Sequence, residues 1–188
     1  MKRVPLNRYL VFVTIAAIGC AVDLATKHWV FGWLGMPRHD EFKVWWIWEP
    51  YFGLQTSTNQ GALFGVGQGK VWLFAVASFV ALVGISYWLF VAGAARDWLL
   101  TVALAVVMGG VLGNLHDRLG LWAIPEMPGA RMHAVRDWIL FQWPPWQWPN
   151  FNIADSLLVS GGALLFVHAL TQPARGDQKH ATPANHHA

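Results

Sequence analysis

The stretch WLLTVALAVVMGGVLGNL, Trp98 to Leu115, decides the fold. It carries no charge and is long enough to cross a hydrocarbon core, which takes about 17 to 25 helical residues. Three further runs, Leu10 to Trp29, Val71 to Ala92 and Ile153 to Leu170, are as long and predominantly apolar, interrupted only by the charges Asp23, Lys27 and Asp155. The reading is therefore an all-α membrane protein with four transmembrane helices. The composition agrees: 55% of residues are hydrophobic, 12% are charged and mean hydropathy is +0.37, whereas a soluble domain carries about 25% charged residues. No separate soluble domain is expected: residues 1–171 form one integral-membrane unit and residues 172–188, polar and rich in Pro and His, a disordered tail.

Several function classes fall away at this level. The single cysteine, Cys20, excludes an internal disulfide framework and a multi-cysteine metal site. The pI of about 9.3 does not mark a nucleic-acid binder, because the basic residues are scattered singly and form no stripe. Lys2, Arg3 and Arg8 before the first run resemble the start of a secretory signal peptide, and Ala17 to Cys20 faintly resembles a lipoprotein cleavage box. The apolar run continues past Cys20 to Val30, however, and Asp23 and Lys27 inside it need a role that a discarded peptide would not supply.

Those same basic residues set the expected orientation, with the N-terminus cytoplasmic. By alternation, residues 31–69 and 117–152 then lie outside, while residues 93–97 and the tail lie inside. The 13 Trp residues gather near span ends and in the outer segments, where an amphipathic ring suits the headgroup level. Phe42 to Thr58, aromatic and with turn residues at Pro50 and Gly53, predicts a small outer β-structured segment after the first helix. Trp138 to Phe151 contains Pro144, Pro145 and Pro149, so it cannot be helical throughout and is expected to skim the outer interface.

Charges in apolar spans cost about 2.5 to 3.5 kcal/mol each near the bilayer centre, so their positions are informative. Asp23 and Lys27 close the first span. Asn59 and Gly61 precede the second, Asn114, Asp117 and Arg118 close the third, and Asn152 and Asp155 open the fourth. Because consecutive spans are antiparallel, all of these groups meet at one membrane face. The matching elements Asn114-x-x-Asp117 and Asn152-x-x-Asp155 each put an Asn and an Asp on one helical face.

Two carboxylates in a partly dry site share a proton and so offer a base and an acid together, which suits hydrolysis by activated water. Asp117 and Asp155 are the expected pair. As an N-cap and a first-turn acid, Asn152 and Asp155 also have a purely structural reading. Asp117, at a helix C-terminus, does not. An alternative stays open in which both aspartates are only salt-bridged, to Arg118, Arg136 or Lys27. Asp23 and Lys27, at i and i+4, read as an ion pair. No HExxH or GxSxG string is present. No His is placed by sequence to activate Ser156, and His28 and His116 read as interfacial polar residues, so no metal or other cofactor is expected.

The strings DLATK (Asp23 to Lys27), NQGALFG (Asn59 to Gly65), GGVLGNLHDR (Gly109 to Arg118), VRDW (Val135 to Trp138) and WPNFNIADS (Trp148 to Ser156) together resemble the ordered motif set of the bacterial lipoprotein signal peptidases, the type II signal peptidases. The resemblance runs from the first span through the fourth. It implies a multi-pass inner-membrane aspartic endopeptidase with both termini cytoplasmic, which removes the signal peptide before a diacylglyceryl-modified cysteine at the outer face. It places Asp117 and Asp155 on the catalytic pair. Asp23, Lys27, Asn59, Gly61, Asn114, Arg118, Asp137, Asn152 and Ala154 fall on lining or supporting positions. The partners implied are lipid-modified prolipoproteins and membrane lipids, with no nucleic acid, and the protein is read as a monomer. Leu63 and His116 depart from the residues common at those positions. The connection from Arg118 to Asp137, with Pro125, Pro128 and Gly129, is longer than is usual in the family, which leaves the role of Asp137 open.

Two readings from other classes compete. A small transporter or proton-coupled channel would also place charges in its spans, but at several depths, whereas here they gather at one face. A non-catalytic lipid-binding or assembly subunit would account for the Trp-rich surface alone.

Overall fold

A computed structural model describes residues 3–37, 43–61, 67–127 and 129–171. The expected tail, Leu63 and the second half of the NQGALFG string lie outside these residues. Within them, four helices are long and apolar enough to cross a membrane: α1 (Leu6–Leu34), α2 (Val71–Ser86, continued by a π-helical turn Tyr87–Val91), α3 (Trp98–Arg118) and α4 (Ile153–Thr171).

The central helix is α3, which packs along both α1 and α4 and, to a lesser extent, α2. In a bilayer, helix association rests on close packing rather than on the hydrophobic effect, so small residues mark the contacts. Gly110 lies against the Ala154 carbonyl of α4, and Gly113 leaves the space that the Asp23 carboxylate of α1 fills. A methyl group at either position would collide. The outward faces carry exposed apolar side chains such as Val13, Val80, Val159 and Phe166, as lipid contact requires.

Helix α1 begins earlier and ends later than the apolar run suggests. At roughly 43 Å it exceeds the ~30 Å hydrocarbon core. Its last turns stand beneath a sheet, with Val30 and Phe31 in a buried cluster with Leu54, Trp138 and Ile139. The helix stops at Gly35, whose φ of 79° only glycine adopts cheaply.

The β structure is larger than expected. A four-stranded antiparallel sheet has the order β1 (Trp45–Trp48), β2 (Phe52–Asn59), β3 (Val135–Trp143), β4 (Trp146–Phe151). The first hairpin is the expected one. The second is formed by the Trp- and Pro-rich stretch, with Pro144 and Pro145 in its turn. Pro149, which cannot donate to a ladder, lies on the edge strand β4. Joining two hairpins far apart in sequence, β2 pairs with β3 in a register that sets Ser57 opposite Asp137 and Thr58 opposite Arg136. That pairing brings the 135–138 motif over the ends of α1 and α3.

Candidate active site

The polar residues singled out in the sequence converge where α1 and α3 end and α4 begins, with β3 across the top. Asp23 and Lys27, one turn apart on α1, form the expected ion pair at 2.7 Å, and neither is exposed. Asp23 also accepts a hydrogen bond from the Ala154 backbone N–H at 2.8 Å, which satisfies a first-turn donor of α4 that has no partner within its helix. Ala154 thus enters the site through its backbone.

The Lys27 ammonium lies 3.3 Å from Asp117 and donates to Asn114 Oδ1 at 2.9 Å. Arg136 grips Asp117 from the sheet: its Nη2 donates to Oδ1 at 2.7 Å, and its Nε and backbone N–H donate to Oδ2 at 3.2 and 3.0 Å. His116 Nδ1 stands 3.2 Å from Oδ1. Five donor contacts therefore converge on one fully buried carboxylate. Charge-assisted bonds of this kind are the strong ones, and they fix Asp117 as an anion between two cations. Arg136 entered the sequence reading only as a possible ion partner, and its place beside Asp137 in the VRDW string was the available signal.

Asp155 is environmentally distinct. It is half-buried, Oδ1 accepts from Asn114 Nδ2 at 2.9 Å, and Oδ2 accepts from the Asn152 backbone N–H at 3.2 Å. In return the Asp155 backbone N–H donates to Asn152 Oδ1 at 2.9 Å. This reciprocal arrangement caps α4 and fixes the side chain. Asp117 connects to Asp155 through Lys27 and Asn114.

Asp137, on β3 and 3% exposed, accepts from Asn152 Nδ2 at 2.7 Å. Asn152 thus touches both Asp137 and Asp155, one by its side chain and one by its backbone. Burial, and next the neighbouring Asp155 carboxylate, push the Asp137 carboxyl up to about 8, against the pull of Lys27 and of the Asn152 and Asn59 side chains. Asn59 comes from β2, where its Oδ1 also accepts from the Gly61 N–H at 2.9 Å and holds the turn. Arg118 lies within electrostatic reach of Asp137 and Asp155, with its guanidinium 5.5 Å from the Phe74 ring centre.

Charge balance separates the carboxylates. Asp23 and Asp117 face two cations, Lys27 and Arg136. Asp137 and Asp155 share one another and, at longer range, Arg118. Of these two, Asp137 is the one whose carboxyl is raised, by burial and by the neighbouring Asp155 carboxylate.

A family model described as signal peptidase (SPase) II matches residues 15–171. A lipoprotein signal peptidase of Rhodopirellula baltica is 48% identical over 166 residues, covering 88% of this chain and 74% of its own length. One from Symbiobacterium thermophilum is 34% identical and covers 87% of this chain and 97% of its own. A solved bacterial membrane enzyme superposes with a TM-score of 0.74 over 96% of this chain and 98% of that one. At 22% identity it shows the shared fold.

Proposed function

The chain belongs to the signal peptidase II family and is a multi-pass membrane peptidase, and from that premise we propose that it removes the signal peptide from diacylglyceryl-cysteine-modified prolipoproteins with the carboxylate pair Asp137 and Asp155. The observation that carries this choice of pair is Asn152, which holds both carboxyl groups while one of them is raised to about 8. Asp117, expected from its motif to be catalytic, has both oxygens taken by Arg136, Lys27 and His116. We assign it the task of anchoring β3 to the helices.

Asp155 is half-buried, open enough to meet water, and is oriented by two N–H donors, so it serves as the base. It takes a proton from water as the oxygen attacks the scissile carbonyl. The protonated Asp137 donates to the carbonyl oxygen, so that charge does not build there. Collapse of the tetrahedral intermediate breaks the C–N bond. The leaving amine receives the proton held by Asp155, and Asp137 regains its own. No covalent intermediate or metal is needed. The site lies on the outer face of the bacterial inner membrane, with both termini cytoplasmic, and the protein acts as a monomer.

At that depth, substrate acyl chains stay in the bilayer while water reaches the pair from outside. Each buried CH₂ contributes about 0.8 kcal/mol to membrane partitioning, so the lipid sets both local concentration and cutting depth. Purified protein in bilayers is expected to cleave a diacylglyceryl-modified precursor orders of magnitude faster than the same unmodified polypeptide. Equal rates for the two would overturn the lipoprotein-specific reading and leave a general membrane protease.

A further inference from the structure

A cavity of about 700 Å³ lies between the end of α1, the second half of β2 and the long connection between α3 and β3. Its size falls within the ~300–1,000 Å³ common for ligand pockets. The floor is the run Gln55, Thr56, Ser57, Thr58, with Lys43 and Glu126 on the walls. Resting on the peptidase reading above, we propose that this cavity binds the residues that follow the modified cysteine, laid as an extended peptide along β2.

Three observations support it. First, the cavity adjoins the chemistry: Ser57 lines it and stands directly across the sheet from Asp137. A peptide leaving the carboxylate pair has one strand to cross. Second, among the described residues the outer edge of the floor carries no strand partner. On the side away from β3, β1 covers β2 only as far as Leu54, which pairs with Trp45, and Lys43 and Val44 before it are not in strand. The Gln55 carbonyl is taken by Asn150. Among the described residues, β2 beyond it pairs only with β3. Backbone groups so placed accept an added strand, main-chain hydrogen bonds supplying affinity. Third, polarity selects the occupant. Two segments leave the scissile bond, and the apolar signal segment belongs to the bilayer. A floor of one Gln, two Thr and one Ser, with one cation and one anion on the walls, matches the polar segment on the other side.

The connection between α3 and β3, expected from the family resemblance to be longer than usual, builds one wall. Glu126 Oε1 accepts from the Met36 N–H at 3.1 Å, and the same oxygen lies 2.7 Å from where a Cβ on Gly35 would stand. The connection is thereby tied to the end of α1, and Met132 follows on the same wall. The substrate segment beyond the cysteine thus meets a surface that a shorter connection would lack.

Gly32 provides a clean probe, because it lines the cavity on a helix and a Cβ added there meets nothing within 4 Å, so a larger side chain has room to enter. Two diacylglyceryl-cysteine peptides with the same signal segment are compared on the full chain in bilayers, one ending just past the cysteine and one continuing for several polar residues. For the wild-type protein, the longer peptide is expected to show a KM lower by about tenfold at similar kcat, the worth of one or two peptide hydrogen bonds. In Gly32→Trp the advantage disappears. A photoreactive residue placed shortly after the cysteine is expected to label residues 55–58, Glu126 or Met132, whether or not the peptide is cut. Equal KM values for both peptides, a retained advantage in Gly32→Trp, or labelling elsewhere would each overturn the proposal. Because labelling does not require turnover, it stands apart from the peptidase assignment, which fails instead if Asp137→Asn and Asp155→Asn still cut both peptides.

Discussion

Replacing Asp137 or Asp155 by asparagine lowers turnover by about 10³-fold or more, the scale expected when a positioned general acid or base is lost, while the protein still inserts and folds. Either amide preserves volume and most hydrogen bonds, since Asn152 can still donate to an amide oxygen at residue 137 and Asn114 to one at residue 155. What disappears is the proton that Asp137 gives or the basicity that Asp155 supplies. The measurement is cleavage of a diacylglyceryl-modified precursor, with folded protein quantified in parallel. Near-normal turnover of Asp137→Asn would remove that residue from the pair and return Asp117, the residue its motif suggested, as the partner of Asp155.

The matching experiment on Asp117 has a different expected signature. Asp117→Asn leaves the buried cations Arg136 and Lys27 without their common counter-ion and turns an amide donor toward them. Breaking a buried ion pair by removing one partner costs about 3–5 kcal/mol. The expected result is a loss of stability of about 3 kcal/mol in denaturant unfolding, with β3 loosened from α3. The folded fraction keeps turnover within roughly tenfold of normal, because the acid and base remain. Full stability with abolished turnover would argue instead for direct participation of Asp117 in the chemistry.

The contrast between these aspartates explains where the sequence could be read and where it could not. Span positions follow from local length and hydropathy, so all four helices were legible, as was the pairing of Asp23 with Lys27 one turn away. The meeting of polar groups at one end follows from alternation of direction alone. Asp117 and Asp155, however, sit in near-identical Asn-x-x-Asp elements, and nothing local separates them. Their difference is made by β3, which carries Arg136 to Asp117 and Asp137 to Asn152 from a segment beyond the long connection. That segment was hard to place because Pro144, Pro145 and Pro149 read as structure breakers. Two of them form a hairpin turn and the third occupies an edge strand, positions where a missing N–H is harmless. The extension of α1 to Leu34 was hidden for a related reason, since its last turns are stabilised by a sheet contributed from elsewhere in the chain.

The proposed chemistry turns on one proton held by Asp137 beside the Asp155 carboxyl. Infrared spectroscopy of the purified protein in bilayers reads it directly, as the carbonyl stretch of a protonated carboxylic acid. In the wild-type protein this band should persist at neutral pH, fade with a midpoint of about 8, and be absent from Asp137→Asn. In Asp155→Asn, where the neighbouring negative charge is gone, the midpoint should fall. A band already lost at neutral pH, or a midpoint unmoved by Asp155→Asn, would contradict the shared-proton pair.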